Sequence, residues 1–150
     1  MAKGLTNGFS EKQLAIYISQ YYERADLVFR FGALLSLSRE GAEHLTEQTF
    51  RLLIEDFSQV KSNTSPEVLL MALAWKAWSK IKNDKFREWS VPILQSMKSI
   101  GVEQRAALFA VDIAGLEISD SAKIFNTTDA VIRQMLATGH KHLATATISV

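Results

Sequence analysis

Three histidines, three tryptophans, three tyrosines and an adjacent carboxylate pair are the side chains of this 150-residue sequence from which chemistry could be built. His140 and His142 are two apart in a helical segment, so they point in different directions and do not make a metal pair. His44, beside Glu43 and near Glu47, reads as part of a solvated helix face. Glu55 and Asp56 are neighbours in the chain; their carboxylates diverge and nothing around them supplies a pocket for acid–base work. There is no glycine-rich phosphate loop and no nucleophile in a recognisable setting. With no cysteine, disulfides, thiolate zinc sites and cysteine nucleophiles are excluded. The reading is therefore not an enzyme, with no metal, no cofactor and no small-molecule substrate. Binding chemistry remains. Trp75 and Trp78 stand beside Lys76, Lys80 and Lys82, and aromatics interleaved with lysines can stack on unpaired bases while neutralising the strand. The same spacing also suits a helix that buries its indoles. Tyr17, Tyr21 and Tyr22 divide in the same way, and an amphipathic core is the commoner use of such a group.

The elements that must hold these residues are all helical. Apolar positions recur at spacings of three and four, no alternating pattern persists, and only Pro66 and Pro92 interrupt. Ser10 with Gln13 forms a capping box before the face of Leu14, Tyr17, Ile18 and Tyr21. Leu27, Phe29, Phe31, Leu34 and Leu35 mark a second helix, and the segment SLSREGAEHL reads as a polar break. A third helix turns Leu45, Phe50, Leu53 and Phe57 inward. Ser65, Pro66 and Glu67 then supply the cap, first position and acidic first turn of a fourth helix that is apolar on most sides. NDKFREWS is the linker. Beyond it, Ile93, Leu94 and Met97 make a small helix interrupted at Gly101, and Leu108, Val111 and Ile113 belong to the next, which ends at Gly115. The expected organisation is all-α, with a bundle over 10–83, a linker over 84–91 and a second module over 92–145.

The stretch GLEISDSAKIFNTTDAVIRQML, from Gly115 to Leu136, has the rhythm of a helix-turn-helix. Ala122 is small where two helices must approach, and Asn126 tolerates the left-handed turn position. Thr128 caps the second helix, Asp129 favours its positive end, and Ile132 and Leu136 face inward. Thr127, Ala130, Arg133, Gln134 and Ala137 are left outward, where bases or phosphates would lie. A plain helical hairpin satisfies the same pattern. Charge predicts weak DNA binding by this unit alone. The net charge is +1, and Lys98, Arg105, Lys123, Arg133 and Lys141 are offset by Glu103, Asp112, Glu117, Asp120 and Asp129. A hydrophobic fraction of 47% marks a folded chain, yet no apolar run reaches the roughly 18 residues of a membrane span. The N-terminal stretch lacks the apolar core of a signal peptide, so the cytoplasm is the expected location and no membrane partner is expected.

The stretch VEQRAALFAVDIAGLEISDSAKIFNTTDAVIRQMLATGHKHL resembles region 4 of the extracytoplasmic-function sigma factors. The features that carry the resemblance are Gln104-Arg105 opening a helix, the aliphatic run from Leu108 to Ile113, Gly115-Leu116 and the helix-turn-helix. SREGAEHLTEQTFRLLI is similar to the part of region 2 that docks on the clamp helices of RNA polymerase, at Glu43, Leu45, Glu47, Gln48 and Phe50. Order and spacing agree over roughly residues 13 to 143. The resemblance implies a protein that binds core RNA polymerase through those five residues. Trp75 and Lys76 would lie at the melted promoter element, and Thr127, Thr128, Ala130, Arg133, Gln134 and Lys141 at the upstream one.

The sequence departs from that family where charge matters. Met135, Thr138, His140 and His142 stand where region 4 carries arginines, and the linker is short. These departures resemble a second group, the sigma-like output domain of general-stress response regulators, which gives up DNA and captures an anti-sigma factor. Ser65-Pro66, Leu70 and Trp78 fit its pattern, although no receiver domain occurs in these residues. A dimeric operator-binding regulator is a third option, and no exposed apolar stripe for its interface is visible.

Overall fold

A computed structural model describes residues 11–55 and 65–148. The Ser10–Gln13 box, the inward Leu14, Tyr17 and Phe57, and Asp56 of the carboxylate pair lie outside the described residues or side chains. Among the described residues there are eight α-helices and no strand. Helices α1 (Glu11–Tyr22), α2 (Ala25–Ser36), α3 (Arg39–Glu55) and α4 (Pro66–Ile81) precede an irregular stretch that runs to Val91. Then come α5 (Pro92–Ser96), a 3₁₀ turn at Met97–Ser99, α6 (Val102–Leu108) widening into a π turn at Phe109–Ile113, α7 (Ile118–Ile124) and α8 (Asp129–Ile148).

Local chemistry explains the boundaries. The Ser65 hydroxyl accepts from Val68 N at 3.3 Å, and Pro66 gives up no hydrogen bond at a position where the helix has none to make. Leu37 closes α2 with a left-handed φ of 54°, its N–H reaching Ala33 O. Ser38 then accepts from Gly41 N at 3.1 Å. The expected polar break from Ser36 to Leu45 is therefore confined to Leu37 and Ser38, because Ser38 starts α3 at once. Gly115, at φ 72°, stops the π turn.

Among the described residues two apolar clusters hold the chain together. The larger gathers Val28, Phe31, Leu45, Leu53, Leu70, Met71, Ala74 and Trp78 from α2 to α4, and includes Ala106, Phe109, Ala110 and Ile124 from beyond the linker. Phe31 and Phe109 are 0% and 1% exposed and their ring centroids lie 5.2 Å apart. Each such ring contributes about 1.5–3 kcal/mol by leaving water. The smaller cluster, Ile100, Ala107, Leu108, Ala122, Ile132 and Leu136, sits within the second half. Trp78 lies in the larger core, 7% exposed. Outside the cores, Arg24 Nε donates to Glu67 Oε1 at 2.7 Å and ties the start of α2 to the first turn of α4. That hydrogen bond, more than the proximity of charge, draws the Glu67 carboxyl below its ordinary value.

Candidate functional site

Helices α7 and α8 meet at a turn from Phe125 to Thr128. Asn126 takes φ 53°, the left-handed conformation that asparagine accepts at low cost. Thr128 Oγ1 accepts from Val131 N at 3.3 Å and so caps α8. Ala122, Ile132 and Leu136 are buried, which places the pair's inner face as the spacing predicts. A Cβ added at Gly139 would come within 2.8 Å of Leu108 Cδ1, so α8 and α6 touch there without room for a side chain. On the outer face Thr128, Ala130, Arg133, Gln134 and Lys141 are exposed, whereas Thr127 is half-buried. His140 Nε2 meets Asp112 Oδ2 at 2.5 Å, an exposed contact between α8 and the π turn, and His142 is exposed. Among the described residues no group of three or more His, Asp or Glu side chains is placed to hold a metal ion.

The second surface is the outer face of α3. Glu43 and Glu47 are exposed and Gln48 half-exposed, but Leu45 is 0% and Phe50 8% exposed. Leu45 packs into the core and Phe50 stacks under Tyr22, centroids 4.9 Å apart, so both hold the helix in place from beneath. The acidic character of this face is tempered along the same helix. Arg39 Nε lies 3.4 Å from Glu43 Oε1, and Arg51 Nη2 lies 3.0 Å from Glu47 Oε1. Beyond it runs an open groove of about 630 Å³, bounded by α3 and by Arg87, Glu88 and Trp89 of the irregular stretch. Trp89 N donates to Leu37 O at 3.0 Å, and Lys98 pairs with Glu88, which lowers the Glu88 carboxyl from its ordinary value by hydrogen bonding. His44 is half-buried with Phe86 6.0 Å from its ring, so it is not the solvated residue its carboxylate neighbours predict.

The third surface joins the two halves. Lys76 is exposed on α4. Trp75 is half-buried and sets its ring edge-on to Phe125 at the end of α7, centroids 4.9 Å apart at 84°. A cleft of about 220 Å³ beside them is lined by Trp75, Glu103, Phe125, Asn126, Thr127 and Met135. Trp75 and Thr127, expected at two different promoter elements, thus share one cleft.

Arg105 lies in the same interface. It is 8% exposed, and its guanidinium spans carbonyls of both halves: Nε donates to Leu34 O at 2.7 Å, Nη2 to Leu35 O at 2.8 Å and Nη1 to Ile100 O at 2.5 Å. Leu34 and Leu35 are in the last turn of α2, whose carbonyls have no partner within the helix, so Arg105 caps α2 from some 70 residues away. Burial pulls its pKa down from the ordinary value. Sequence alone places Arg105 in a Gln-Arg pair and among the balanced charges of the second half, not at the end of a distant helix. An arginine followed at once by the apolar AALFA was the available signal of a buried cation.

No protein-family model and no curated protein matches the sequence. Among solved structures, the chain is similar to the sigma factor RpoE of Bartonella quintana, taken from its co-crystal structure with the anti-sigma factor NepR. The superposition has a TM-score of 0.72 and covers 87% of this chain and 95% of that one, at 12% identity. The chain therefore has the all-α, sigma-like fold, in agreement with the fold expected from the spacing of its motifs.

Proposed function

We propose that this chain is a sigma-factor-like transcription protein that binds core RNA polymerase and directs promoter recognition, in a circuit that includes an anti-sigma factor. The observation that carries the reading is the fold shared with a sigma factor over nearly the whole of both chains. The polymerase would meet α3 at Glu43, Glu47 and Gln48, with Leu45 and Phe50 fixing the helix from inside. Promoter DNA would meet Thr128, Ala130, Arg133, Gln134 and Lys141 on one side and Lys76 with Trp75 on the other. Thr127 contributes from the rim of the cleft. With a near-neutral second half, the polymerase supplies most of the affinity and all of the catalysis. The division into modules at 10–83 and 92–145, and a place in the cytoplasm, belong to the same proposal.

The test is co-purification with core RNA polymerase, using the wild type and the double variant Glu43→Lys/Glu47→Lys. Both carboxylates are exposed and their intrahelical pairs contribute little to stability, so the variant folds. Loss of polymerase binding in the variant is the expected result. Equal binding by both proteins refutes the docking face. A gel shift of promoter DNA that stays blank with polymerase, together with capture of a small helical anti-sigma protein, would identify a sigma mimic instead.

A further inference from the structure

We propose that the open groove between the ends of α2 and α4 and the start of α6 binds a small organic anion, its phosphate or carboxylate head on the Arg105 guanidinium and its apolar body against Phe86. The site stands apart from the transcription reading. The groove encloses about 770 Å³ and shares no lining residue with the groove beside α3 or the cleft at Trp75. Arg105 is 8% exposed, yet it is among the residues that line this groove. Its three nitrogens each donate once, to Leu34 O, Ile100 O and Leu35 O. A guanidinium has five N–H groups, so one is left on each terminal nitrogen. The three acceptors are neutral carbonyls, and among the described residues no carboxylate pairs with the charge. A buried cation held by dipoles alone keeps part of its desolvation cost unmet, and burial accordingly pulls its pKa down. An incoming anion supplies the missing charge, and the planar fork suits phosphate or carboxylate oxygens. The surroundings have the matching sign. Lys82 and Lys85 are exposed at the groove, so with Arg105 three cations face the carboxylate of Asp84. The carbonyls at the end of α2 would repel an anion, but Arg105 already takes them up. Phe86 and Val102, both half-buried, supply apolar wall. A bare ion leaves that wall wet, whereas a ring attached to the head covers it.

The tryptophans provide reporters with internal controls. Trp78 lines this groove, Trp89 the one beside α3 and Trp75 the cleft at Phe125. Their indole N–H resonances in the isotope-labelled full chain therefore report the three places separately. The Arg105 Nε–H, held on Leu34 O, gives a fourth line. Arg105 is thus observed directly, and no substitution in the interface is needed. The probes are phenyl phosphate and benzoate, with inorganic phosphate as the head alone and benzyl alcohol as the body alone. Phenyl phosphate or benzoate should shift the Trp78 and Arg105 lines saturably at millimolar concentration, leaving Trp75 and Trp89 still. Whichever of the two binds more tightly identifies the head group. Inorganic phosphate should bind about tenfold more weakly, since it covers none of the wall. Lys82→Ala/Lys85→Ala, changed at two exposed positions, should weaken the better probe on the order of tenfold with helical content unchanged. An Arg105 line that moves with neither ring-bearing anion overturns the site. So do equal shifts at all three tryptophans, and so does unchanged affinity in the double variant. Equal affinity for inorganic phosphate and phenyl phosphate would mean an adventitious ion only, and benzyl alcohol binding as well as the anions would mean an apolar slot with no use for Arg105.

Discussion

Replacing Phe109 by alanine tests whether the two halves fold as one. Phe109 is 1% exposed and its ring rests on Phe31 of α2, across the linker. Removing a buried phenylalanine costs about 3–5 kcal/mol, through lost transfer energy and the cavity left behind. A chain of this length has a total stability of about 5–15 kcal/mol. Its melting temperature moves by about 2–4 °C per kcal/mol, so a drop of about 6–20 °C is expected. The location of the reporters makes the experiment decisive. Trp75, Trp78 and Trp89 all precede the second half. In a Trp75→Phe background, which removes the indole at the interface, fluorescence follows the first half and the linker alone. Urea unfolding is then recorded by fluorescence and by far-ultraviolet circular dichroism. If Phe109 belongs to a shared core, the change in the second half lowers both midpoints together. A fluorescence midpoint that stays put while the dichroism splits into two transitions would refute the shared core and return the chain to two independent bundles.

Asn126→Ala should lose about 1 kcal/mol in urea unfolding, since alanine lacks the local hydrogen bonds that make φ 53° tolerable, while Asn126→Gly should hold the wild-type midpoint. Gly139→Ala should destabilise by about 1–3 kcal/mol, because the added methyl meets Leu108; a gain in midpoint would mean that helix propensity outweighs the contact. The Glu67 pKa is lowered in the fold from an ordinary 4.5, so its contribution is present above that value and is lost as pH falls through the lowered folded value. Glu67→Gln should flatten that part of the stability–pH curve and cost under about 1 kcal/mol at neutral pH, as its carboxylate is partly exposed.

Caps and turns were the most legible part of the sequence. Ser65-Pro66, Gly115, Asn126 and Thr128 are each of a residue type suited to the cap or turn conformation they adopt. The inward faces followed from spacing, as at Ile132 and Leu136, where the partner helix is next in the chain. What stayed hidden depends on contacts between residues far apart. The apolar AALFA after Arg105 signals a buried cation, but nothing local shows that it caps α2, and nothing local brings Phe125 to Trp75. The candidate polymerase face shows the same limit from the other side. Its five residues share one stretch, yet helical geometry turns Leu45 and Phe50 inward and Glu43 and Glu47 outward.

The π turn at Phe109–Ile113 carries a further consequence. Ala114 N reaches back five residues to Phe109 O at 2.8 Å, so this segment holds one residue more than an α-helix of equal height would. Excising Val111 would leave ordinary helix of the same height, so the chain downstream would keep its orientation about the axis, whereas the same excision from a regular helix would turn it by about 100°. The wide turn is thus the one place in this helix where a residue can be gained or lost while α7 still meshes with α4.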